Sequence, residues 1–216
     1  MSPTSPRHTA SPNVAGNTAP PVGVLALQGD FREHIAVLKS FGADARPVRR
    51  PEELAEVAGL VIPGGESSVM DKLARLFGLA QPLKEAIADG LPVYGTCAGM
   101  IMLADTILDG IEGQQSLGGL DIDVRRNAFG SQTDSFEVDL DIPELGQPAL
   151  HAVFIRAPVV ERVGPAVHAL AELVDGRVVA VEQGNLLATS FHPEMTDDHR
   201  FHEYFLGRVA DVGFLD

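Results

Sequence analysis

The first half of the chain alternates short apolar runs with segments in which apolar residues recur at helical spacing. Continuous apolar runs at residues 22–27, 59–62 and 91–96 predict buried strands, and a weaker run at 45–48 predicts one more. The segments between them carry apolar residues every three or four positions, which predicts amphipathic helices. Strands that are apolar throughout and alternate with helices are typical of a parallel sheet covered on both faces.

Beyond residue 120 the pattern becomes a series of short apolar runs separated by turn residues, with little helix between them. This half is therefore expected to be more antiparallel, and a last amphipathic helix is predicted over residues 201–212. The strands are predicted at residues 120–124, 135–140, 150–155, 177–182 and 186–191. Together the two halves predict one α/β domain with a mixed sheet over residues 22–216.

Composition excludes several classes of function. Acidic residues number 30 and basic residues 16, a formal charge of −14 over 216 residues, whereas a nucleic-acid surface needs clustered Lys and Arg. No apolar run approaches the length that spans a bilayer. The single cysteine excludes an intrachain disulfide and a cysteine metal cage, and it fits the reducing cytoplasm. Residues 1–21 are rich in Ser, Pro, Thr and Ala, which predicts a disordered tail, with a cloning remnant or an unrecognised targeting signal as the alternatives.

The strongest local signal is the segment Gly95-Thr96-Cys97-Ala98-Gly99 at the end of a predicted strand. A helix is predicted after it from the spacing of Met100, Leu103 and Ile107. This is the context of a nucleophile elbow, in which the neighbours of a strained nucleophile must be small. The start of the helix would favour thiolate over thiol. The alternative is a buried structural cysteine.

A cysteine nucleophile needs a base, and the base needs a group that orients it. The predicted strand 186–191 is followed by His192-Pro193-Glu194. Residues two apart in extended chain point the same way, so Glu194 is expected beside His192, whose other ring nitrogen would face Cys97. The alternative is a loop histidine next to a surface carboxylate.

An oxyanion hole is predicted at Pro63-Gly64-Gly65-Glu66-Ser67, which joins the strand at 59–62 to a helix. Two glycines leave backbone N–H groups unshielded, and sites in open parallel sheets gather at the carboxyl ends of the strands. A flexible turn explains the glycines equally well. A phosphate loop is also conceivable, but the lysine that such a loop carries is missing.

Four further residues have weaker signals. Arg126 and Arg156 follow predicted strands, and each has the guanidinium that pairs with a substrate carboxylate, although a surface ion pair is the equal alternative. His199 and His202 are three apart on the last helix, where they are interpreted as capping or solvated groups because a third metal ligand is not evident.

The elbow and the His-Pro-Glu segment resemble those of class I glutamine amidotransferases. Within that class the chain resembles the glutaminase subunit of pyridoxal 5'-phosphate synthase, and the similarity extends from residue 22 to about residue 206. The segments that carry this closer resemblance are residues 27–34, 62–68, 126–130, 134–137 and 154–158.

The resemblance implies a flavodoxin-like, three-layer α/β fold with a mostly parallel central sheet and helices on both faces. It implies that Cys97 forms a γ-glutamyl thioester, that His192 acts as base and then acid, and that Glu194 orients it. Backbone N–H groups near Gly65 and Ala98 would hold the oxyanion. The implied glutamine-binding residues are Gly65, Glu66, Ser67, Arg126, Ile155 and Arg156. No cofactor and no metal is expected.

The resemblance also implies a partner. Ammonia would pass, without release to solvent, to a barrel-shaped synthase subunit that joins it to a pentose phosphate and a triose phosphate. The implied assembly is cytoplasmic, a ring-stacked dodecamer of synthase decorated with glutaminase subunits, and the glutaminase is poorly active until the partner docks. No nucleic acid or membrane partner is expected.

Two positions depart from the family pattern. Ser131 stands where a basic residue is expected, and Arg125 stands where an acidic one is expected. Three other functions stay open: a glutaminase that serves another biosynthetic synthase, a redox-sensing cysteine protein on a similar fold, and an inactive subunit that only docks.

Overall fold

The computed structural model describes residues 20–126 and 135–213. The predicted tail, apart from its last two residues, lies outside these ranges, as does Ser131. Among the described residues, none of the helices combines the length and apolar character that crossing a bilayer would require.

Strands and helices alternate in the first half, as the apolar pattern predicts. The helices are α1 Phe31–Ser40, α2 Pro51–Leu54, α3 Ser67–Leu76, α4 Ala80–Ala88, α5 Ala98–Leu103 and α6 Arg200–Gly213. The strands are β1 Val22–Leu25, β2 Ala45–Val48, β3 Gly59–Ile62, β4 Val93–Thr96, β5 Ala104–Ile107, β6 Leu120–Arg125, β7 Ser135–Leu140, β8 Leu150–Ile155, β9 Val159–Val163, β10 His168–Glu172, β11 Val178–Gln183 and β12 Leu186–Thr189. Single 3₁₀ turns lie at Pro143–Leu145 and Pro193–Met195.

The central sheet is mixed and mostly parallel, which confirms the expected fold class. Its strands follow the order β2-β1-β3-β4-β12-β11-β9-β6-β5, and β10 pairs with β11. The first five run parallel, in the order that flavodoxin-like sheets have. The strands from β12 to β6 pair antiparallel, and β7 and β8 form a separate two-stranded sheet.

The central strands β1, β3, β4 and β12 are buried along their whole length, because neighbouring side chains enter different cores. In β3, Leu60 and Ile62 pack into one apolar cluster with residues of α3, α4 and α5. Val61, between them, packs into a second cluster with residues of α1, α6 and the β7–β8 sheet. Because β3, β4 and β12 are parallel neighbours, their carboxyl ends lie side by side at one edge of this three-layer structure.

Three expectations about the elements are wrong. The helix predicted to continue to Ile107 ends at Leu103, and Ala104–Ile107 instead forms β5, paired in parallel with β6. Strands β9 and β10 lie where no strand is predicted. Several predicted strands are also too long: β1 ends at Leu25 and β12 at Thr189.

Candidate active site

Cys97 occupies a strained turn between β4 and α5. Its backbone has φ 48° and ψ −102°, a conformation that is rare for any residue with a side chain. The Cys97 N–H donates to the carbonyl of Thr189 at 2.8 Å, which ties the turn to β12. A Cβ atom at Gly95 would lie 2.6 Å from the backbone of Gly99, so this position has room for glycine alone. The expected elbow is therefore present.

His192 and Glu194 follow β12 closely in the chain, and both side chains are buried. His192 Nδ1 lies 2.7 Å from Glu194 Oε1. The contact differs from the extended geometry expected from sequence, because Pro193–Met195 forms a 3₁₀ turn that brings the carboxylate round to the ring. With Nδ1 bonded to Glu194, Nε2 is the nitrogen that remains for Cys97.

The electrostatic surroundings of His192 favour the imidazolium. Burial lowers the pKa of His192, but its hydrogen bonds to Cys97 and Glu194 and the charges of the same two residues outweigh burial and raise this pKa to about 10. A protonated imidazole beside the sulfur stabilises the thiolate, which is the nucleophilic form of cysteine.

A cavity of about 350 Å³ opens over the sulfur and the imidazole. Besides Cys97 and His192, its walls contain all six residues that the resemblance implies for glutamine binding, namely Gly65, Glu66, Ser67, Arg126, Ile155 and Arg156. Gln28, Asp30, Ile101 and Met195 complete the lining. Ala98, the first residue of α5, is buried next to the nucleophile, and Glu194 lies behind His192.

Arg126 reaches the cavity wall from the end of β6 and is almost fully covered. Its guanidinium donates to Glu66 Oε1 and to Gln114 Oε1, each at 2.9 Å. Gln114 in turn donates to the hydroxyl of Ser67 at 3.0 Å. The alternative of a plain surface ion pair does not describe this arginine, whose side chain is 12% exposed.

Arg156 enters the same cavity from the end of β8 with the second strained backbone of the site. Its φ is 44°, and Arg156 and Cys97 are the residues other than glycine with positive φ in the described chain. The carbonyl oxygen of Ile155 lies 4.0 Å from the Cys97 sulfur. The end of strand β8 therefore lines the cavity next to the sulfur.

The glycine turn after β3 packs against both the histidine and a residue that was not predicted. A Cβ at Gly64 would lie 2.5 Å from the ring of His192. Gly65 has φ 141°, and the N–H of Glu66 donates to Gln28 Oε1 at 2.8 Å. Gln28 follows β1, so the rule that sites gather at strand carboxyl ends is a signal that could have identified it.

Three side chains at this edge could in principle bind a metal. One ligand atom each from Asp30, His192 and Glu194 lies within 4.8 Å of the others. His192 and Glu194 already use each other in a 2.7 Å hydrogen bond, which a cation would have to replace. The expectation that the site needs no metal stays a prediction.

Two weaker sequence interpretations have different outcomes. His202 is fully buried and lies 2.9 Å from His34, so its interpretation as a capping or solvated group is wrong. Arg125, the departure from the family pattern, forms an exposed ion pair with Glu161 at 2.7 Å. It is not among the residues that line the cavity.

A family model decides the relationship of this chain to known proteins. The model of the SNO glutamine amidotransferase family matches residues 24–211. The chain belongs to this family. Membership in the SNO glutamine amidotransferase family confirms the predicted resemblance and the prediction of an amidotransferase enzyme.

Similar family members share most of their length with this chain. It is 72% identical over 191 residues to pyridoxal 5'-phosphate synthase subunit PdxT of Leifsonia xyli subsp. xyli, covering 88% of this chain and 96% of the relative. It is 61% identical over 190 residues to the subunit of the same name from Streptomyces coelicolor, covering 88% and 94%.

Solved structures agree with the fold. A crystal structure of a glutamine amidotransferase has a TM-score of 0.82 and 50% identity, covering 87% of this chain and 98% of that one. The crystal structure of a glutamine amidotransferase from Thermotoga maritima has a TM-score of 0.57 at 15% identity, covering 90% and 86%, and this likeness concerns the fold alone.

Proposed function

We propose that this SNO-family chain is the glutaminase subunit of a pyridoxal 5'-phosphate synthase. In this role it hydrolyses L-glutamine to L-glutamate and ammonia, and the ammonia serves the synthesis of pyridoxal 5'-phosphate. The observation that carries the proposal is the placement of His192 between Cys97 and Glu194 beneath one cavity. The names of relatives up to 72% identical supply the pathway.

The first half of the reaction forms a thioester. The Cys97 thiolate attacks the side-chain amide carbon of glutamine, and the carbonyl oxygen becomes an oxyanion. The protonated His192 then gives its proton to the amide nitrogen, the carbon–nitrogen bond breaks, and ammonia leaves. Glu194 holds the ring through Nδ1 and stabilises its positive charge before the transfer.

The second half releases glutamate. Neutral His192 takes a proton from water, and the resulting hydroxide attacks the thioester carbon. The bond between carbon and sulfur breaks, Cys97 returns to the thiolate and His192 is again protonated. One glutamine and one water thus give one glutamate and one ammonia, and no cofactor takes part.

Several backbone and side-chain groups assist these steps. Backbone N–H groups near Gly65 and Ala98 hold the oxyanion, which requires the turn after β3 to face the sulfur. The α-carboxylate and α-amino groups of glutamine bind to the polar wall of the cavity. That wall is formed by Gly65, Glu66, Ser67, Arg126, Ile155 and Arg156.

The partner in this proposal is a barrel-shaped synthase subunit within a large cytoplasmic hetero-oligomer. The curated relatives bear the name of a subunit, which supports a second component. Ammonia moves from the cavity to that subunit without release to solvent, and docking raises the glutaminase rate.

The test is glutamate release from glutamine by the purified chain, with and without the synthase subunit. We expect release that the partner stimulates, and no release from Cys97→Ala in either condition. A wild-type pair that forms no glutamate would refute the proposal. If the chain co-purifies with a different synthase and supplies it, the pathway part is wrong and the reaction stands.

A further inference from the structure

A pair of buried histidines lies behind the catalytic residues and has no part in the reaction described above. His34 comes from α1 and His202 from α6, and both are fully buried. His34 Nδ1 lies 2.9 Å from His202 Nε2, so one ring donates to the other. A buried polar pair of this kind is costly unless its remaining atoms also find partners.

The other nitrogen of His34 faces the carboxylate that orients His192. Glu194 uses Oε1 for His192, and its buried Oε2 has no hydrogen-bond partner among the described residues. His34 Nε2 is 3.3 Å from this oxygen, with both side chains fully buried. Nε2 also lies 3.1 Å from the hydroxyl of Thr96, the residue before Cys97. A proton on Nε2 therefore has both Glu194 Oε2 and Thr96 Oγ1 within reach.

The charge on Glu194 selects one tautomer of His34. If Nε2 carried a lone pair, that lone pair would face a carboxylate oxygen at 3.3 Å and repel it. With the proton on Nε2, Nδ1 is an acceptor, and His202 must donate to it from Nε2. Both rings stay neutral: burial first, then His202 and His192, hold the pKa of His34 well below 6.5, and burial lowers the pKa of His202 to about 3.

We propose that His34 is a positioning residue, whose Nε2–H holds the second oxygen of Glu194 while His202 fixes the tautomer that makes this donation possible. His34 touches neither substrate nor sulfur. It acts by fixing the carboxylate, and therefore the ring of His192, in the orientation that aims Nε2 at Cys97. The inference rests on the proposed glutaminase function.

Two amide variants of His34 separate the donor at Nε2 from the acceptor at Nδ1. In His34→Gln the side-chain nitrogen can occupy the position of Nε2, which preserves a donor to Glu194. In His34→Asn the amide reaches only the position of Nδ1, so His202 keeps an acceptor but Glu194 loses its donor. Because both replacements are neutral polar amides in the same buried site, a purely structural role predicts similar losses in both.

The decisive experiment is steady-state glutaminase kinetics of both variants in complex with the synthase subunit. We expect kcat of His34→Asn to fall about tenfold with KM nearly unchanged, because one hydrogen bond to a buried charge is lost, and kcat of His34→Gln to stay close to that of the wild type. Equal kcat values in the two variants would overturn the inference. An inactive wild type would instead refute the proposed function.

A second measurement needs no activity, and one folded variant is enough to assign the signals. Nitrogen-15 NMR of the full wild-type chain reports which imidazole nitrogen of His34 carries the proton, and the spectrum of His34→Gln or His34→Asn identifies the signals. We expect Nε2 protonated and Nδ1 unprotonated at neutral pH. A proton on Nδ1 would overturn the inference, whatever the kinetics show.

Discussion

At the scale of the residue, the site depends on two backbone conformations that side chains rarely adopt. Cys97 has φ 48° and Arg156 has φ 44°, and such strain costs about 1–3 kcal/mol per residue. Each residue directly follows a strand, and both line the same cavity. The strain at Cys97 follows from a recognisable motif, whereas no residue type around Arg156 signals it in advance.

Arg126 provides a test of substrate binding with a matched control next to it in sequence. We expect Arg126→Gln to raise KM for glutamine about tenfold or more with little change in kcat, because in the proposed binding mode the substrate carboxylate loses a charged hydrogen-bonding partner. Arg125→Gln removes the same charge from an exposed ion pair with Glu161 and should leave KM unchanged. Glutaminase kinetics in the synthase complex measure both. Similar KM values in the two variants would contradict the role of Arg126.

The proton on His192 can be tested separately from catalysis. The pKa of His192 is raised to about 10 because hydrogen bonds and charges from Cys97 and Glu194 outweigh burial, so the ring is protonated at neutral pH. In Cys97→Ala the contributions of the sulfur are removed while burial remains, and we expect the pKa of His192 to fall. NMR titration of the imidazole in both proteins measures the change. An unaltered pKa would mean that the sulfur does not interact with the ring.

At the scale of the element, sequence periodicity is reliable where burial is continuous. Strands β1, β3 and β4 are short and buried along their whole length, so the local pattern coincides with the final structure. The periodicity fails at two later strands for physical reasons. Residues 104–107 continue the helical spacing of α5, but their pairing with β6 makes them a strand. Strand β10, His-Ala-Leu-Ala-Glu, contains good helix formers and is a strand because β11 pairs with it.

The candidate site was more predictable than the sheet around it. Cys97, His192 and Gly65 each follow a strand that the apolar pattern identifies, and the parallel order places those strand ends together. Gln28 follows β1 and could have been found by the same rule. Gln114 and His34 were not assigned roles, because they contact Ser67 and Thr96, which lie 47 and 62 positions away in the chain. Local sequence carries no record of such contacts.

Helix α5 lies close to β4 at the elbow, and a substitution at Gly95 tests this packing. A Cβ at residue 95 would lie 2.6 Å from the backbone of Gly99, so Gly95→Ala must push the helix away from β4. We expect a loss of about 2 kcal/mol in unfolding free energy and a large loss of glutaminase activity. Gly207→Ala is the control, since nothing lies within 4 Å of its added Cβ in α6 and the helix should gain stability. Urea unfolding measures the stability of both variants. A Gly95→Ala variant as stable as the wild type would contradict this packing.

At the scale of the whole molecule, buried histidines connect the site to global stability. The fold keeps His34 and His202 neutral, since burial lowers the pKa of both below 6.5, while it holds His192 protonated by raising its pKa to about 10. These opposite shifts act in different pH windows. The titration of these three histidines therefore lowers the unfolding free energy of the chain at both acidic and alkaline pH.

The resulting stability profile should have its maximum near pH 6.5. Below that pH the unfolded chain protonates His34 and His202 and the folded chain does not, so stability falls by about 1 kcal/mol per pH unit from each. The stabilisation from His192 is complete below pH 6.5 and is lost as the pH rises towards 10.

Urea unfolding from pH 5 to 9 measures the profile. His202→Gln should roughly halve the slope on the acid side, because it removes one of the two groups that titrate only in the unfolded chain. A wild type whose stability is constant between pH 6.5 and 5 would show that the histidine pair is protonated inside the fold.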